Sequence, residues 1–191
     1  MGKEIELTLA DIDKEEAVSR LEALGARYSG TETYVRIEAP IILNVKWVRL
    51  RSNGKTTTLT YKDRSAVRGL SMDEYEVEVG DFKTAARIFF KLFKGNMLFW
   101  ETKRMEYHLD GAMITIDKWP KLPWLIEIEG KSEKSVLATL KKLGIKGENL
   151  GNVSLLDMYW RQGLDFFDCV ERDDDRIAKR LNLIQKQYKP L

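Results

Sequence analysis

Lys46-Trp47-Val48-Arg49-Leu50-Arg51-Ser52, the turn Asn53-Gly54, and Thr56-Thr57-Thr58-Leu59-Thr60-Tyr61-Lys62 form the stretch that decides the fold. Asn-Gly between two alternating runs is the strongest short-range hairpin signal, because a type I′ turn needs positive φ at both central residues. Side chains along a strand point alternately to opposite faces. Arg49, Arg51 and Lys62 therefore share one face, and Val48, Leu50, Leu59 and Tyr61 the other. The same alternation recurs in Glu4-Ile5-Glu6, Glu74-Tyr75-Glu76-Val77-Glu78, Lys103-Arg104 and Glu127-Ile128-Glu129. One such segment could be the wet face of an ordinary antiparallel sheet. Three acidic and three basic strands in one chain fit a closed antiparallel barrel instead, with an ionic lumen and an apolar outer face. A lumen holding both signs suits a divalent metal together with a polyanion: carboxylates take the metal, and Arg and Lys take phosphate oxygens. Such charge is costly to bury without a ligand.

Further strands are predicted over residues 3–9, 27–38, 45–51, 56–62, 73–79, 97–107, 111–117 and 124–129, with a second tight turn at Asp110-Gly111. Asp13, with Glu16 three residues on, starts a helix carrying Val18, Leu21 and Leu24 that Gly25 ends. Another spans 82–94, its face made by Phe82, Ala85, Ile88, Phe89, Leu92 and Phe93. Ser132 starts a third, with Val136, Leu137 and Leu140 in phase and Gly144 as the stop. Helices are expected at 152–163 and 172–187. The expected class is α+β: an eight-stranded antiparallel barrel over about 3–130, flanking helices, and a C-terminal helical extension over about 131–191, all one domain.

The chain has 191 residues and a net charge of +2, which argues against a generic nucleic-acid binder. Its single cysteine, Cys169, excludes an internal disulfide and fits a reducing compartment. The opening Met1-Gly2-Lys3-Glu4 lacks the apolar core of a signal peptide and does not continue into a myristoylation pattern. No run reaches about 18 apolar residues. A cytoplasmic, soluble protein without a nucleic-acid or membrane partner is expected, as a monomer or homodimer. No Gly-rich P-loop is present, which removes the commonest nucleotide-binding alternative.

Taken in order, the motifs resemble those of the CYTH superfamily, the triphosphate tunnel metalloenzymes, which include class IV adenylate cyclases, thiamine triphosphatases and inorganic triphosphatases. Glu4-Ile5-Glu6 resembles the E-x-E-x-K opening, Trp47-Val48-Arg49-Leu50-Arg51 the R-x-R strand, and Leu59-Thr60-Tyr61-Lys62 the L-T-x-K strand. Glu74-Tyr75-Glu76 is similar to the central E-x-E, Arg104 to the Arg of K-x-R, Ile116-Asp117 to I-x-L-D, and Glu127-Ile128-Glu129 to the closing E-x-E. The resemblance covers about residues 3–160. It implies an eight-stranded tunnel, Mg²⁺ or Mn²⁺ as cofactor, and a small-molecule polyphosphate or nucleotide substrate. It also implies Glu4, Glu6, Glu76, Asp117, Glu127 and Glu129 as metal ligands. Arg49, Arg51, Lys62 and Arg104 become the phosphate-binding set, with Lys103 added if a bulge turns it inward, and Glu4, Glu6 and Lys62 the catalytic set. Three functions fit: hydrolysis of inorganic, thiamine or nucleoside triphosphate, cyclisation of ATP to cyclic AMP and pyrophosphate, and non-catalytic binding of polyphosphate. Hydrolysis is favoured because it demands no extra pocket.

Two positions depart from the pattern. Thr8 stands where the opening motif has Lys, and Thr102 where the K-x-R strand has its Lys; both losses bear on catalysis. Asp117 could alternatively be a turn residue before Lys118-Trp119-Pro120, and Tyr34 a half-buried packing residue. His108, the only histidine, reads as a strand surface residue. Asp173-Asp174-Asp175 reads as the acidic first turn of a helix. Trp119, Trp124, Tyr159 and Trp160 read as packing beneath the C-terminal helices, and Cys169 shows no nucleophile signature.

Overall fold

The computed structural model of the chain describes residues 2–187. The elements run β1 (Gly2–Ala10), α1 (Lys14–Ala23), β2 (Arg27–Ile42), β3 (Lys46–Ser52), β4 (Thr57–Arg68), β5 (Ser71–Glu78), α2 (Phe82–Phe93), β6 (Leu98–Leu109), β7 (Ala112–Lys118), β8 (Trp124–Glu129), α3 (Glu133–Leu143), β9 (Glu148–Gly151), α4 (Leu155–Arg161) and α5 (Asp174–Gln187), with a 3₁₀ turn at Phe166–Asp168 before the last. Neighbours in the order β5-β4-β3-β2-β6-β7-β8-β1 pair antiparallel, and β5 also pairs with β1, closing eight strands into a barrel. Closure removes the unpaired edges that an open sheet would expose.

The hairpin forms where Asn53-Gly54 predicts it, but over a four-residue loop: Ser52 pairs with Thr57, only Gly54 of the two takes positive φ, and Arg49 lies opposite Thr60 and Arg51 opposite Thr58, which keeps the expected faces. Two strands run four or more residues beyond their predicted ends: β2 to Ile42, with a register shift between Pro40 and Ile42, and β4 to Arg68, with a shift after Asp63. Such irregularities hide a strand's end from a period-two reading. The ninth strand was not foreseen. Glu148-Asn149-Leu150-Gly151 has no alternation, and its place comes from β1, whose last residues Thr8–Ala10 lie beyond the point where β5 stops covering them.

Helix starts are set by local side-chain chemistry. Asp13 accepts from the Glu16 amide at 2.8 Å and Asp81 from the Thr84 amide at 2.6 Å. Ser132 and Ser135 bond reciprocally to each other's backbone amides, a capping box built from two serines. Gly144 ends α3 in the left-handed region at φ 60°, where a side chain would be strained.

The apolar residues between the charged ones pack outward against the helices. Leu7, Leu9, Ile114, Ile116, Ile126 and Ile128 lie beneath Ala17 and Leu21 of α1 and Val136 and Leu143 of α3. Val35, Ile37, Leu50 and Phe99 lie beneath Ala86 and Phe89 of α2 and Ile177 and Leu181 of α5. A third cluster joins Leu98, Trp100 and Trp119 of the barrel to Met158, Tyr159 and Phe166 of the C-terminal segment, and the Tyr159 hydroxyl donates to the Pro120 carbonyl at 2.8 Å. Trp160, expected in packing, is instead 75% exposed, because α4 turns its Met158–Tyr159 side inward. No helix among the described residues is long and apolar enough to cross a membrane.

Candidate active site

Burying Ile5, Leu50, Ile128 and their neighbours on the outer face sends the alternate residues inward, into a cavity of about 610 Å³. Glu4, Glu6, Arg49, Arg51, Lys62, Glu76, Arg104, Glu127 and Glu129 all line it. Residues separated by more than a hundred positions thus meet because eight strands present the same face to one space.

The basic side is held by β3, β4 and β6. Arg49 donates to Thr60 Oγ1 at 3.3 Å and lies 3.5 Å from Glu76, while Arg51 lies 3.8 Å from the same carboxylate. The Arg51 guanidinium sits 5.0 Å from the Tyr34 ring centroid, so Tyr34 turns toward the charged interior. Burial and the repulsion of Arg49 and Arg104 bring the Arg51 pKa down to about 10. Lys62 bridges Glu4 at 2.6 Å and Glu74 at 2.7 Å. Burial disfavours the charge on Arg104, yet Asp117 and Glu127, both bonded to it, hold it well above its ordinary pKa.

The carboxylates divide by environment. Burial pushes Glu4 up to about 9 against the pull of Lys62, with Glu6 and Glu74 adding to the rise. Glu74 resists its own burial through Lys62, a hydrogen bond shared with Glu4, and Arg49, which together hold it at about 2. The two are pushed in opposite directions, Glu4 up and Glu74 down, and titrate as one coupled pair. Burial lifts Glu127 to about 7, Arg104 opposing. Glu129 is raised by burial and by the nearby Glu6 and Glu74.

Two expected roles are corrected. Lys103 points outward and is exposed, because β6 passes through this region without a bulge, with Lys103 paired to Thr33 and Lys118; the shift in that strand pair lies at Tyr28–Gly30. Asp117 is 0% exposed and spends both oxygens on Arg104, with Thr115 donating to one of them at 3.1 Å. Its carboxylate orients the guanidinium rather than offering a free oxygen to a metal. Glu4 and Glu76 line the cavity but are engaged by Lys62 and by Thr60 and Arg49. Thr8 is buried, its backbone opposite Glu127 and Gly151. His108 stays partly exposed, 2.9 Å from Glu106.

Five charged lining residues escaped the sequence-derived site: Lys3, Arg36, Glu38, Arg64 and Glu74. Tyr34-Val35-Arg36-Ile37-Glu38 does alternate, but its two charges have opposite sign, so no single-sign run marked it. Glu74 lay within a recognised motif and was passed over in favour of Glu76. Arg64 follows the predicted end of its strand. Its guanidinium bonds to the carbonyls of Asn152 at 2.8 Å and Val153 at 3.2 Å, fastening the segment before α4 to the barrel.

Glu6 and Glu129 are directly opposed across β1 and β8. Neither carboxylate has a Lys, Arg or His within 4.0 Å among the described residues. Like charges facing one another on a sheet are destabilising, and a cation between them removes the conflict. Among the described residues no three acidic, His or Cys groups converge as a complete ligand shell. That donor set fits a hard divalent ion of the Mg²⁺ kind, which is held by one or two carboxylates and completed by substrate phosphates and water.

The family model described as the CYTH domain matches residues 3–154. The chain belongs to the CYTH family, tunnel enzymes whose members are triphosphatases or cyclases and generally depend on a divalent metal. Among solved structures, a conserved hypothetical protein from Pyrococcus furiosus superposes with a TM-score of 0.68 at 24% identity, over 81% of this chain and 99% of that one. A candidate adenylyl cyclase from Hippeastrum, described as having a dominant triphosphatase activity, aligns with a TM-score of 0.59 at 17% identity, over 86% and 97% of the two chains. A candidate adenylate cyclase from Vibrio parahaemolyticus gives 0.61 at 10% identity, over 75% and 89%. These likenesses establish the fold. Among curated proteins, vitellogenin-1 of Solenopsis invicta is 35% identical over 63 residues, 31% of this chain and 4% of that protein. So short a share of it carries no functional argument.

Proposed function

We propose that this chain is a divalent-metal-dependent hydrolase acting on the terminal phosphate of a triphosphate-bearing substrate, whether inorganic, thiamine or nucleoside triphosphate. One observation carries the reading: an unneutralised carboxylate pair, Glu6 and Glu129, shares a single cavity with the cations Arg49, Arg51 and Arg104. The carboxylate pair has no cation of its own among the described residues, whereas Arg49 and Arg51 reach Glu76 only at 3.5 and 3.8 Å; a metal–polyphosphate complex would bring a cation to the first and phosphate oxygens to the second.

In this reading Glu6 and Glu129 hold the metal, which when bound neutralises phosphate charge and makes water a better nucleophile. Arg49 and Arg51 grip the phosphate chain in the fork geometry suited to its oxygens. Arg104, locked by Asp117, presents a fixed cation beside Glu127. Glu127, at about 7, is the lumen carboxylate suited to take up a proton near neutrality. Lys62 keeps Glu4 and Glu74 in place and is a point charge that an incoming phosphate can recruit. A reducing, cytoplasmic setting is also proposed, supported by the single free Cys169.

The test is product analysis with inorganic triphosphate, thiamine triphosphate and ATP, each with Mg²⁺ and with Mn²⁺. Orthophosphate released in proportion to substrate, and abolished by EDTA, is the expected result. Cyclic AMP with pyrophosphate would replace hydrolysis by cyclisation, and saturable binding without turnover would leave a binding protein.

A further inference from the structure

We propose that Arg36 is a phosphate-binding residue that takes over, from the neighbouring strand, the position vacated by the lysine that is Thr102 in this chain. The proposal rests on the triphosphate reading above and adds a residue to it that no motif supplies.

Four observations carry it. Arg36 is 2% exposed and lines the cavity, yet its Nη2 has no hydrogen-bond partner. A buried guanidinium hydrogen left unpaired is costly, so its presence calls for an acceptor that arrives from outside. Second, its Nε donates to Thr102 Oγ1 at 3.0 Å. In the β2–β6 register Thr102 is opposite Tyr34, one inward-facing step from Arg36, so the Arg36 side chain reaches diagonally into the space above Thr102. A lysine at 102 could accept no such bond and would repel the guanidinium. Threonine at 102 and arginine at 36 are thus consistent with each other. Third, the guanidinium carbon lies over the Trp119 ring, 4.6 Å from its centroid, a contact that holds the group in place while Nη2 stays unpaired. Fourth, Arg36 is surrounded by other cations: its charge is disfavoured first by burial and then by Arg49, Arg51 and Arg104, with Asp117 opposing. Four guanidinium groups around one space make a site for an anion with many oxygens.

Thr102 alone would suggest a weakened cradle. With Arg36 in its place the positive charge is conserved, but it is carried as a planar, two-pronged donor instead of a flexible ammonium.

Isothermal titration of inorganic triphosphate with Mg²⁺ tests this on the whole chain, using wild type, Arg36→Gln, Arg36→Lys, Arg51→Ala and the double variant Arg36→Gln/Thr102→Lys. Arg36→Gln should weaken binding about 10- to 100-fold, the loss expected for a charge-assisted contact. Arg36→Lys should fall between it and wild type. Adding Thr102→Lys to Arg36→Gln should recover most of the affinity, because the cation returns from the other strand. Melting of the ligand-free variants separates a structural role: Arg36→Gln should melt no lower than wild type, since it relieves repulsion. Parent affinity in Arg36→Gln, with Arg51→Ala weakened, overturns the assignment of Arg36 and leaves the triphosphate reading standing. A double variant that is folded but binds no tighter than Arg36→Gln likewise overturns it. A wild-type protein that binds no triphosphate overturns both.

Discussion

Glu129→Gln perturbs the opposed carboxylate pair on which the metal reading turns, and both of its effects can be sized. Removing one of two like charges facing each other on a sheet relieves about 0.2–1 kcal/mol. For a chain of this length 1 kcal/mol moves the melting temperature by about 2–4 °C, so the ligand-free variant should melt about 0.4–4 °C higher than wild type. Metal acts in the opposite direction. At a hundredfold excess over its dissociation constant a ligand stabilises by about 2.7 kcal/mol, or about 5–11 °C here. If Gln lowers affinity a hundredfold, the same Mg²⁺ concentration stabilises the variant by only about 0.4 kcal/mol, a shift of about 1 °C. Differential scanning fluorimetry in EDTA and in Mg²⁺ reads both numbers. Glu4→Gln is the control, since the Glu4 carboxyl is already engaged by Lys62 at 2.6 Å and burial pushes its pKa up. Equal Mg²⁺ shifts in wild type and Glu129→Gln, or a variant that melts several degrees lower in EDTA, would refute the reasoning.

Lys62→Ala strands Glu4 and Glu74 without their shared cation and should cost about 3–5 kcal/mol by urea denaturation, whereas Arg51→Ala should be near neutral for folding and costly for triphosphate binding. Ile128→Ala opens a cavity under α1 and α3 and should cost about 2–5 kcal/mol in the same assay. Asp63 is held down to about 2 by side-chain and backbone hydrogen bonds from Ser65 and by Lys46. A depressed carboxylate contributes stability that is full above its ordinary pKa and lost as pH falls through the folded one. Asp63→Asn should therefore flatten the acid-induced loss of stability between about pH 4 and pH 2, followed by circular dichroism.

The barrel was legible because its code has period two and recurs from strand to strand: Glu6 of the first acidic segment and Glu129 of the last face one another on the inward side. The Asn53-Gly54 turn and the caps at Asp13 and Ser132 were legible because each is a local contact between residues a few positions apart. What a single strand cannot encode is which inward residue is used up by a partner. Asp117 was read as a ligand from its motif position, but its oxygens belong to Arg104 on the adjacent strand. Arg36 and Glu38 went unseen because their signs cancel along β2, and β9 because it borrows its order from β1. Lys103 depended on a bulge that occurs elsewhere in the same strand pair.

The pairing of β1 has a consequence for how the molecule is made. Its residues hydrogen-bond to β5 at 71–74 and to β8 at 126–129, so β1 is completed only after more than a hundred further residues have been synthesised. At translation rates of about 5–20 residues per second, the wait for β8 lasts on the order of ten seconds. Until then the Glu6–Leu9 part of β1 lacks its β8 partner and is an open edge with an apolar face, the kind of segment that recruits strands from other chains. Glu4 and Glu6 alternate along it and repel a second copy of the same strand, acting as gatekeepers before any ligand is present. The carboxylates that line the finished tunnel would then also serve as guards against aggregation of the nascent chain.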